Sequence, residues 1–409
     1  MSGREIIDHL VIPNPKKATK IIFLVMDGVG GIAMPGKGGT ELQVAKKPNL
    51  DTLAREGVCG VMDPVAPGVA PGSGPGHFAI FGYDPLTSNI GRGVLEALGI
   101  DLDLTDRDVA SRGNFSTVDA KGILTDRRAG RLETSENQRI VAELNSVLNL
   151  RDEGVEIILR TVKEHRFALV LRGDALGDAL EDTDPNEVGY RAKPFLATAA
   201  NRANERTVRL MEKLLEQAKP VLAKEAKANC MLFRGFAKYR HYPSVLERYG
   251  LRGMAIANYP MYRGISRLLG MTLHPVTKDV KTEFEAVRDS YAKYDFFFVH
   301  VKATDRYGED GNFDAKVKAI EEVDGLVPIL TALNPDCLVV TSDHSTPAAM
   351  KKHSWHPVPV LLKAATARVD DVKTYDEIAC VHGGLGHQPL TNLMGIALAH
   401  AGSLDKYGA

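Results

Sequence analysis

The chain of 409 residues has little cysteine and no long apolar segment. Its four cysteines are Cys59, Cys230, Cys337 and Cys380. They lie far apart and form no CxxC pair, so neither a disulfide framework nor a structural zinc site is expected. The first apolar run ends at Asp27 and is far shorter than the roughly 20 residues that a membrane span requires. Because no signal-peptide pattern precedes this run, the sequence predicts a cytoplasmic protein.

An excess of charge of either sign is also absent. Lysine and arginine together number 51, against 52 aspartates and glutamates, and there is no long basic run. This balance argues against nucleic acid or a membrane surface as a partner. With 44% hydrophobic and 25% charged residues, the composition is that of an ordinary globular protein. The length predicts two domains, or one core with a large insertion.

Short apolar runs that lead into acidic residues recur along the chain. They cover residues 21–26, 296–299 and 337–340, and a helical pattern over 314–330 lies between the last two. Their nearly continuous apolar content is typical of parallel strands buried on both faces and covered by helices. The fold class expected is therefore α/β, with a mainly parallel sheet flanked by helices.

The middle of the chain is more polar and contains two arginine-rich stretches. A long helix is predicted there, over about 204–227. This change in character predicts an inserted α/β domain over 88–238. The remaining residues, 1–87 and 239–409, would form the core that carries the metal site.

Side chains of the metal-binding type follow the predicted strands or lie in loops beside them. They are Asp27, Asp305, Asp343, His344 and His353. Carboxylates supplemented by imidazoles suit divalent cations that handle phosphate oxygens. Each residue by itself has a simpler explanation, as part of an Asp-Gly turn, as a helix cap, or as an ordinary surface or core histidine. Three strands that end in acids, two of them with a histidine close by, favour a metal site.

Ser73 is the candidate nucleophile. It lies in the glycine-rich segment PGSGPGH at 71–77, where the small residues would let a phosphate approach the backbone. A helix that begins nearby would stabilise negative charge on the serine oxygen or on a phosphoester. Without the metal residues, the simpler reading is a turn with a serine that caps a helix.

The chain resembles the cofactor-independent phosphoglycerate mutases, in their shorter archaeal-type form, within the alkaline-phosphatase superfamily. The resemblance covers nearly the whole chain. The motifs that carry it are VMDGVG at 25–30, PGS at 71–73, FGYDP at 81–85, GRG at 91–93, GNF at 113–115, DRRAGR at 126–131, EHRF at 164–167, DTDP at 182–185, RGI at 263–265, HVK at 300–302, SDH at 342–344 and HSWHPVP at 353–359.

The resemblance implies a phosphatase-like metal-binding core with an inserted substrate-binding domain that closes over the glycerate. It also implies two divalent metal ions, Mn²⁺ or Mg²⁺, and no requirement for 2,3-bisphosphoglycerate. One metal would be held by Asp27, Ser73, Asp343 and His344, and the other by Asp305, Glu309 and His353. The substrate carboxylate would be bound by Asp126, Arg127, Arg128, Arg131, His165 and Arg166, and the phosphate by Arg263 and Lys302.

Three positions depart from the family pattern. Glu309 stands where a histidine is expected, Gly74 replaces an acidic residue, and His387 stands where relatives often carry arginine. Glutamate can bind Mn²⁺ or Mg²⁺ but disfavours softer ions such as Zn²⁺.

The expected function is the interconversion of 3-phosphoglycerate and 2-phosphoglycerate through a phosphoserine, with a small phosphorylated hydroxy acid as the substrate. Two alternatives remain open at this point. One is a metal-dependent hydrolase of phosphate or phosphonate esters on the same fold, and the other is a non-catalytic homologue. The arginine-rich stretches have their own alternative, a solvated surface or an interdomain network of salt bridges.

Overall fold

A computed structural model describes residues 3–12, 19–88 and 90–408. The strands of these residues are β1 (Ile21–Met26), β2 (Val58–Asp63), β3 (Asp108–Val118), β4 (Leu124–Asp126), β5 (Glu156–Lys163), β6 (Arg166–Arg172), β7 (Cys230–Lys238), β8 (Gly253–Ile256), β9 (Thr272–Leu273), β10 (Phe296–Val301), β11 (Cys337–Thr341), β12 (Val358–Ala364) and β13 (Gly386–Pro389).

The α-helices of the same residues are α1 (Gly3–Leu10), α2 (Glu41–Val44), α3 (Pro48–Glu56), α4 (Ser73–Ile80), α5 (Arg92–Gly99), α6 (Thr134–Val147), α7 (Arg202–Leu222), α8 (Val245–Tyr249), α9 (Pro260–Leu268), α10 (Val280–Ser290), α11 (Ala303–Glu309), α12 (Phe313–Thr331), α13 (Glu377–Cys380) and α14 (Leu393–His400). Within the described ranges, no helix combines the length and the apolar character needed to cross a membrane.

The chain forms two compact units. The first is made of Met1–Asn89 together with Pro243–Ala409, and the second is Ile90–Tyr242. The metal-binding and substrate-binding roles expected of the two parts remain predictions.

The first unit is built on an eight-stranded sheet in the order β13-β2-β12-β11-β1-β10-β8-β9. Among the described pairings of this sheet, only those of β12 with β11 and with β2 are antiparallel, so the sheet is mainly parallel. All six residues of β1 are fully buried, as expected for a central strand covered on both faces. The predicted α/β class, with a mainly parallel sheet flanked by helices, is confirmed.

The strand–helix–strand unit expected in the last part of the chain is present as β10, α12 and β11. Both strands pair in parallel with β1, one on each side. Apolar side chains of α12, among them Ile320, Val323 and Val327, pack in the core beneath this sheet. Each such burial contributes roughly 1.5–3 kcal/mol to folding.

The second unit contains an antiparallel sheet in which β3 pairs with β4, β6 and β7, and β5 pairs with β6. Its own hydrophobic core joins this sheet to α6 and α7 through residues such as Ile140, Phe167 and Met211. The unit is thus a sheet with helices that are buried against it.

Two predicted boundaries differ from the structure. The long helix of the second unit ends at Leu222 rather than near 227, soon after Pro220, which cannot donate a backbone hydrogen bond. The glycine- and proline-rich stretch over 64–76 is predicted from its composition to be a loop, but α4 begins within it, at Ser73.

Candidate active site

Residues that follow the three central strands meet at one edge of the first sheet. Asp27 comes directly after β1, Asp343 and His344 follow β11, and Asp305 lies in α11 just after β10. All four side chains are fully buried. Because β10, β1 and β11 are parallel, their carboxyl ends lie at the same edge, and residues far apart in sequence become neighbours.

These residues, with His353, form two groups that could each hold a cation. Ligand atoms of Asp27, Asp343 and His344 lie within 4.8 Å of one another, and so do those of Asp305, His344 and His353. The two groups share His344, whose ring stacks on that of His353 with centroids 3.6 Å apart. The structure therefore brings together these five predicted ligands.

Ser73 lies beside the shared histidine. It is the first residue of α4, and its Oγ is 3.3 Å from Nε2 of His344. This approach depends on Gly76, because a Cβ there would stand only 2.2 Å from the backbone oxygen of Asp343. The amide groups of the first turn of α4 are the kind that stabilise negative charge on a nearby oxygen.

Glu309, also predicted as a ligand, stands next to one cation group but is not part of it. Its Oε1 lies 3.9 Å from Nε2 of His353, which is itself 3.6 Å from Oδ1 of Asp305. The Glu309 side chain is 55% exposed at the end of α11, whereas Asp305 is fully buried. The carboxylate is therefore near a possible metal but faces solvent.

Three buried rings to which the sequence assigned no role surround Asp27 and Ser73. The Tyr262 hydroxyl donates to Oδ2 of Asp27 at 2.5 Å, and Nε2 of His300 lies 3.3 Å from the same oxygen. Nδ1 of His77 donates to the backbone oxygen of Ser73 at 2.7 Å. His300 lies in the HVK motif, His77 in the glycine-rich segment and Tyr262 before a predicted arginine, but none of these patterns indicates the contacts with Asp27 and Ser73.

Lys302, a predicted site residue, binds the acids from one side. Its Nζ donates to Oδ2 of Asp27 at 2.9 Å and also to Asp305. Burial alone would raise the pKa of Asp27, but Lys302 and the neighbouring histidines hold it well below its usual range. Burial alone would lower the pKa of His344, but Asp343 and Asp27 raise it to about 10. The site is therefore a largely buried cluster of opposite charges.

The chemistry of these residues fits a divalent cation. Oδ1 of Asp27 and Oδ2 of Asp343 are buried and accept no hydrogen bond from the described residues, although Nε2 of His344 lies in ion-pair contact with both, at 3.2 and 3.1 Å. Carboxylate oxygens and imidazole nitrogens together are suitable ligands for ions such as Mn²⁺ and Mg²⁺. Unsatisfied buried acceptors of this kind are expected where an ion binds.

Arg263 and two positions that depart from the family pattern also lie in the first unit. Arg263 is buried in α9, and its Nη1 donates to the backbone oxygen of His274 at 2.7 Å. Gly74 is in the first turn of α4. Nε2 of His387 lies 2.8 Å from Oδ2 of Asp63, at the end of β2.

The predicted substrate-binding residues lie in the second unit, on two turns with unusual backbone. Ala129, Gly130 and Arg131 all have left-handed conformations, with φ of 47°, 66° and 51°. The Asp126 carboxylate holds this turn by accepting from the backbone nitrogens of Arg128 and Gly130, both at 2.7 Å. Strained non-glycine backbone of this kind is concentrated at functional sites.

Four arginines gather around His165. Burial, together with the positive charges of Arg166, Arg112, Arg128 and Arg131, lowers the pKa of this histidine to about 4. Three of these arginines were predicted, whereas Arg112, on β3, was missed because it lies in the middle of a strand. The cluster is a candidate site for an anion.

Arg127 is already engaged within the second unit. Its Nε and Nη2 donate to the two carboxylate oxygens of Asp184 at 2.8 and 2.7 Å. Asp184 is fully buried, and although burial favours its neutral form, Arg127 keeps its pKa below the usual range. The bidentate contact that was expected between Arg127 and the substrate carboxylate is therefore made to Asp184.

Comparisons with known proteins identify the family of the chain. Residues 54–227 match the family described as 2,3-bisphosphoglycerate-independent phosphoglycerate mutase. A protein of Thermus thermophilus named "Probable 2,3-bisphosphoglycerate-independent phosphoglycerate mutase" is 50% identical over 397 residues, covering 96% of this chain and 97% of its own.

Two solved structures are similar over nearly their whole length. A cofactor-independent phosphoglycerate mutase from Thermoplasma acidophilum is 29% identical with a TM-score of 0.71, over 94% of this chain and 100% of its own. A protein from Pyrococcus horikoshii is 25% identical with a TM-score of 0.81, over 96% of this chain and 100% of its own. The chain belongs to the family of 2,3-bisphosphoglycerate-independent phosphoglycerate mutases, which are isomerases.

Proposed function

We propose that this isomerase interconverts 3-phosphoglycerate and 2-phosphoglycerate through a phosphoserine formed on Ser73. The observation that carries the proposal is the position of Ser73 Oγ, 3.3 Å from the histidine shared by the two candidate cation groups. A nucleophile beside two cation sites is the arrangement that phosphoryl transfer requires.

The proposed cation ligands are the predicted ones. Asp27, Ser73, Asp343 and His344 would hold one divalent ion, and Asp305, His353 and Glu309 the other. When bound, such ions neutralise phosphoryl oxygens and lower the pKa of a coordinated hydroxyl group. The preponderance of carboxylates favours Mn²⁺, or Mg²⁺, over Zn²⁺.

The proposed reaction consists of two transfers that balance. The Ser73 oxygen attacks phosphorus, the bond from phosphorus to the 3-oxygen breaks, and that oxygen takes up a proton to give glycerate. The 2-hydroxyl of glycerate then loses a proton and attacks the phosphoserine, which restores the serine oxygen. Tyr262 and Lys302 hold the Asp27 carboxylate in a single orientation during both transfers.

The arginines around His165 are proposed to bind the substrate carboxylate. Planar guanidinium groups suit carboxylate oxygens, and Arg128, Arg131 and Arg166 bring several positive charges to one place. Because the pKa of His165 is about 4, its ring is neutral near pH 7 and can form hydrogen bonds without adding charge.

The nucleophile is tested with Ser73→Ala. We expect the variant to fold normally, to form no 2-phosphoglycerate from 3-phosphoglycerate in the presence of Mn²⁺, and to gain no phosphate at residue 73 by mass spectrometry of the quenched reaction. Ser403→Ala is the matched control, because Ser403 is also buried in the first unit and its hydroxyl forms a hydrogen bond with that of Thr19, away from the candidate cation groups.

Other outcomes would contradict the proposal. Mutase turnover near the parent level in Ser73→Ala would refute the nucleophile. Release of free phosphate by the parent without 2-phosphoglycerate would favour the hydrolase instead. Two bound Mn²⁺ ions without turnover of any phosphoester would favour a non-catalytic homologue.

A further inference from the structure

A buried lysine outside the candidate cation groups contacts the loops that carry their ligands. Lys316 lies on α12 with no exposed surface. Its Nζ donates to the backbone oxygen of Thr346 at 2.8 Å and to that of Gly30 at 3.2 Å. The first oxygen belongs to the loop after His344, and the second to the loop after Asp27. One ammonium group therefore holds both loops.

Two glutamates complete this arrangement. Oε1 of Glu41 lies 3.8 Å from Nζ of Lys316 and accepts from the backbone nitrogen of Ala348 at 2.7 Å. Oε1 of Glu377 accepts from the backbone nitrogen of Gly31 at 2.6 Å. Each glutamate thus binds the backbone of one of the two loops that Lys316 also binds.

Glu41 also lies close to the backbone of the loop after Asp27. A Cβ on Gly31 would stand 1.9 Å from Oε2 of Glu41, so a larger residue at position 31 would push this carboxylate aside. The two loops are also joined directly, since the backbone nitrogen of Thr346 donates to the oxygens of Gly28 and Gly30 at 3.2 and 3.1 Å. Small shifts of Glu41 or Lys316 would therefore move both loops together.

We propose that Lys316, Glu41 and Glu377 are positioning residues, a loop clamp that fixes Asp27, Asp343 and His344 at the spacing a divalent cation requires. None of the three touches the reacting atoms. Burying charged groups costs several kcal/mol, and apolar residues of similar volume often stabilise a protein more. The function of these buried charges would be to hold the loops that carry the metal ligands. Residues that contact metal ligands without binding the metal commonly set its affinity.

The inference rests on the proposed function, because that function requires the divalent ion. The Lys316→Met variant tests the inference. Mn²⁺ is titrated calorimetrically into chelator-treated full-length protein, and mutase kinetics are measured in parallel. We expect Mn²⁺ affinity to fall by about tenfold or more, the usual effect of losing a residue behind a metal ligand. We expect kcat to fall while KM for 3-phosphoglycerate stays unchanged, because the clamp belongs to the first unit and the proposed carboxylate site to the second.

Asp324→Asn is the matched control. Asp324 lies on the same helix, is 2% exposed, and accepts from the backbone nitrogen of Leu50 at 2.7 Å, away from both ligand loops. We expect this variant to lose thermal stability without losing Mn²⁺ affinity. If Asp324→Asn loses as much Mn²⁺ affinity as Lys316→Met, any destabilisation of the fold weakens metal binding, and the clamp is refuted. The clamp is also refuted if Lys316→Met folds and binds Mn²⁺ as tightly as the parent.

Glu41→Gln covers the case in which Lys316→Met fails to fold. It keeps an oxygen that can accept from Ala348 but removes the charge facing Lys316, so weaker Mn²⁺ binding is again expected, and unchanged binding overturns the clamp. If the parent binds Mn²⁺ but forms no 2-phosphoglycerate, the proposed function fails, whereas the Mn²⁺ comparison still decides the role of the clamp.

Discussion

At the scale of single residues, the proposed ligands of the first unit differ in burial. Asp305 and His344 are enclosed, and their positions are determined by the strands they follow. Glu309 is more than half exposed and only approaches His353. A carboxylate in this place is free to move toward a cation, and its chemistry should influence which cation is preferred.

Glu309→His is predicted to shift metal preference toward Zn²⁺. Imidazole suits Zn²⁺ better than a carboxylate does, while Mn²⁺ gains less from the exchange. We expect the ratio of Zn²⁺ to Mn²⁺ affinity, measured by competition titration, to rise by about tenfold. Asp310→His is the control, because it removes the same charge from the next residue. An identical change in both variants would mean that Glu309 is no ligand.

Glu283→Gln is predicted to remove a pH dependence of stability. Burial, with the charges of Asp279 and Glu322, raises the pKa of Glu283 to about 8. The folded state therefore retains a proton that the unfolded chain releases above the ordinary value of 4.5, so this group makes stability fall between about pH 5 and pH 8. Glutamine, which can still accept from Asn258, mimics the protonated form.

The measurement is the melting temperature at pH 5 and pH 9. Relative to the parent, Glu283→Gln should be unchanged at pH 5 and more stable at pH 9, by on the order of a few kcal/mol. Glu285→Gln, on the same helix but paired with Lys281 near the surface, should show no such difference. If the melting temperatures of the parent and Glu283→Gln depend on pH in the same way, the pKa of the buried Glu283 carboxyl is not raised and the prediction is wrong.

The sequence predicts residues well where their neighbours in the chain define them. The acids after strands were predictable because a buried apolar run that ends in aspartate is a local pattern. His77, Tyr262 and His300 were not, because their contacts with Asp27 and Ser73 form only when separate strands and helices pack together. Arg112 was missed for the same reason.

At the scale of elements, the start of α4 decides where the nucleophile stands. Its first turn lies against the backbone that follows β11, and this contact is possible only for a residue without a side chain. The sequence indicated a helix near Ser73 but not where it begins, since glycine and proline at 71–76 are also typical of a loop. Long-range packing, not local propensity, sets this boundary.

Gly76→Ala is predicted to impair phosphoserine formation more than folding. The new Cβ would stand 2.2 Å from the Asp343 backbone oxygen, so α4 must move outward, at a cost of about 1–3 kcal/mol in stability. A displacement of about 1 Å at the nucleophile can reduce the rate about 100-fold. The measurement is the rate of phosphate incorporation at Ser73.

Gly72→Ala is its matched control. A Cβ on Gly72 would meet only Pro75, at 3.8 Å, and the extended backbone of Gly72 suits any residue. This variant should therefore form phosphoserine at nearly the parent rate. If both glycine variants lose the same activity, the segment is sensitive to any added methyl group and the argument from the Asp343 contact fails.

At the scale of the whole molecule, the second unit is one continuous segment, whereas the first is assembled from two separated stretches. The second unit has its own buried core, drawn from β3, β5, β6 and β7 with α6 and α7. A segment with its own core should fold independently.

The fragment 90–242 is therefore predicted to fold alone. We expect native-like circular dichroism and a single cooperative thermal transition, since the domain-sized core lies entirely within it. Phe167→Ala, which removes a fully buried ring, should destabilise the fragment by about 3–5 kcal/mol. A fragment without a cooperative transition would mean that its core depends on the rest of the chain.

The position of β1 between β10 and β11 has a consequence for biosynthesis. A ribosome releases β1 well before the two strands that flank it, because those strands begin at residues 296 and 337. The second unit is synthesised earlier and can fold before the strands that flank β1 have been made, because domains generally fold as units during translation. Asp27 thus acquires its final surroundings among the last events of folding, and a stalled or truncated nascent chain would lack the cation site even with its middle portion fully folded.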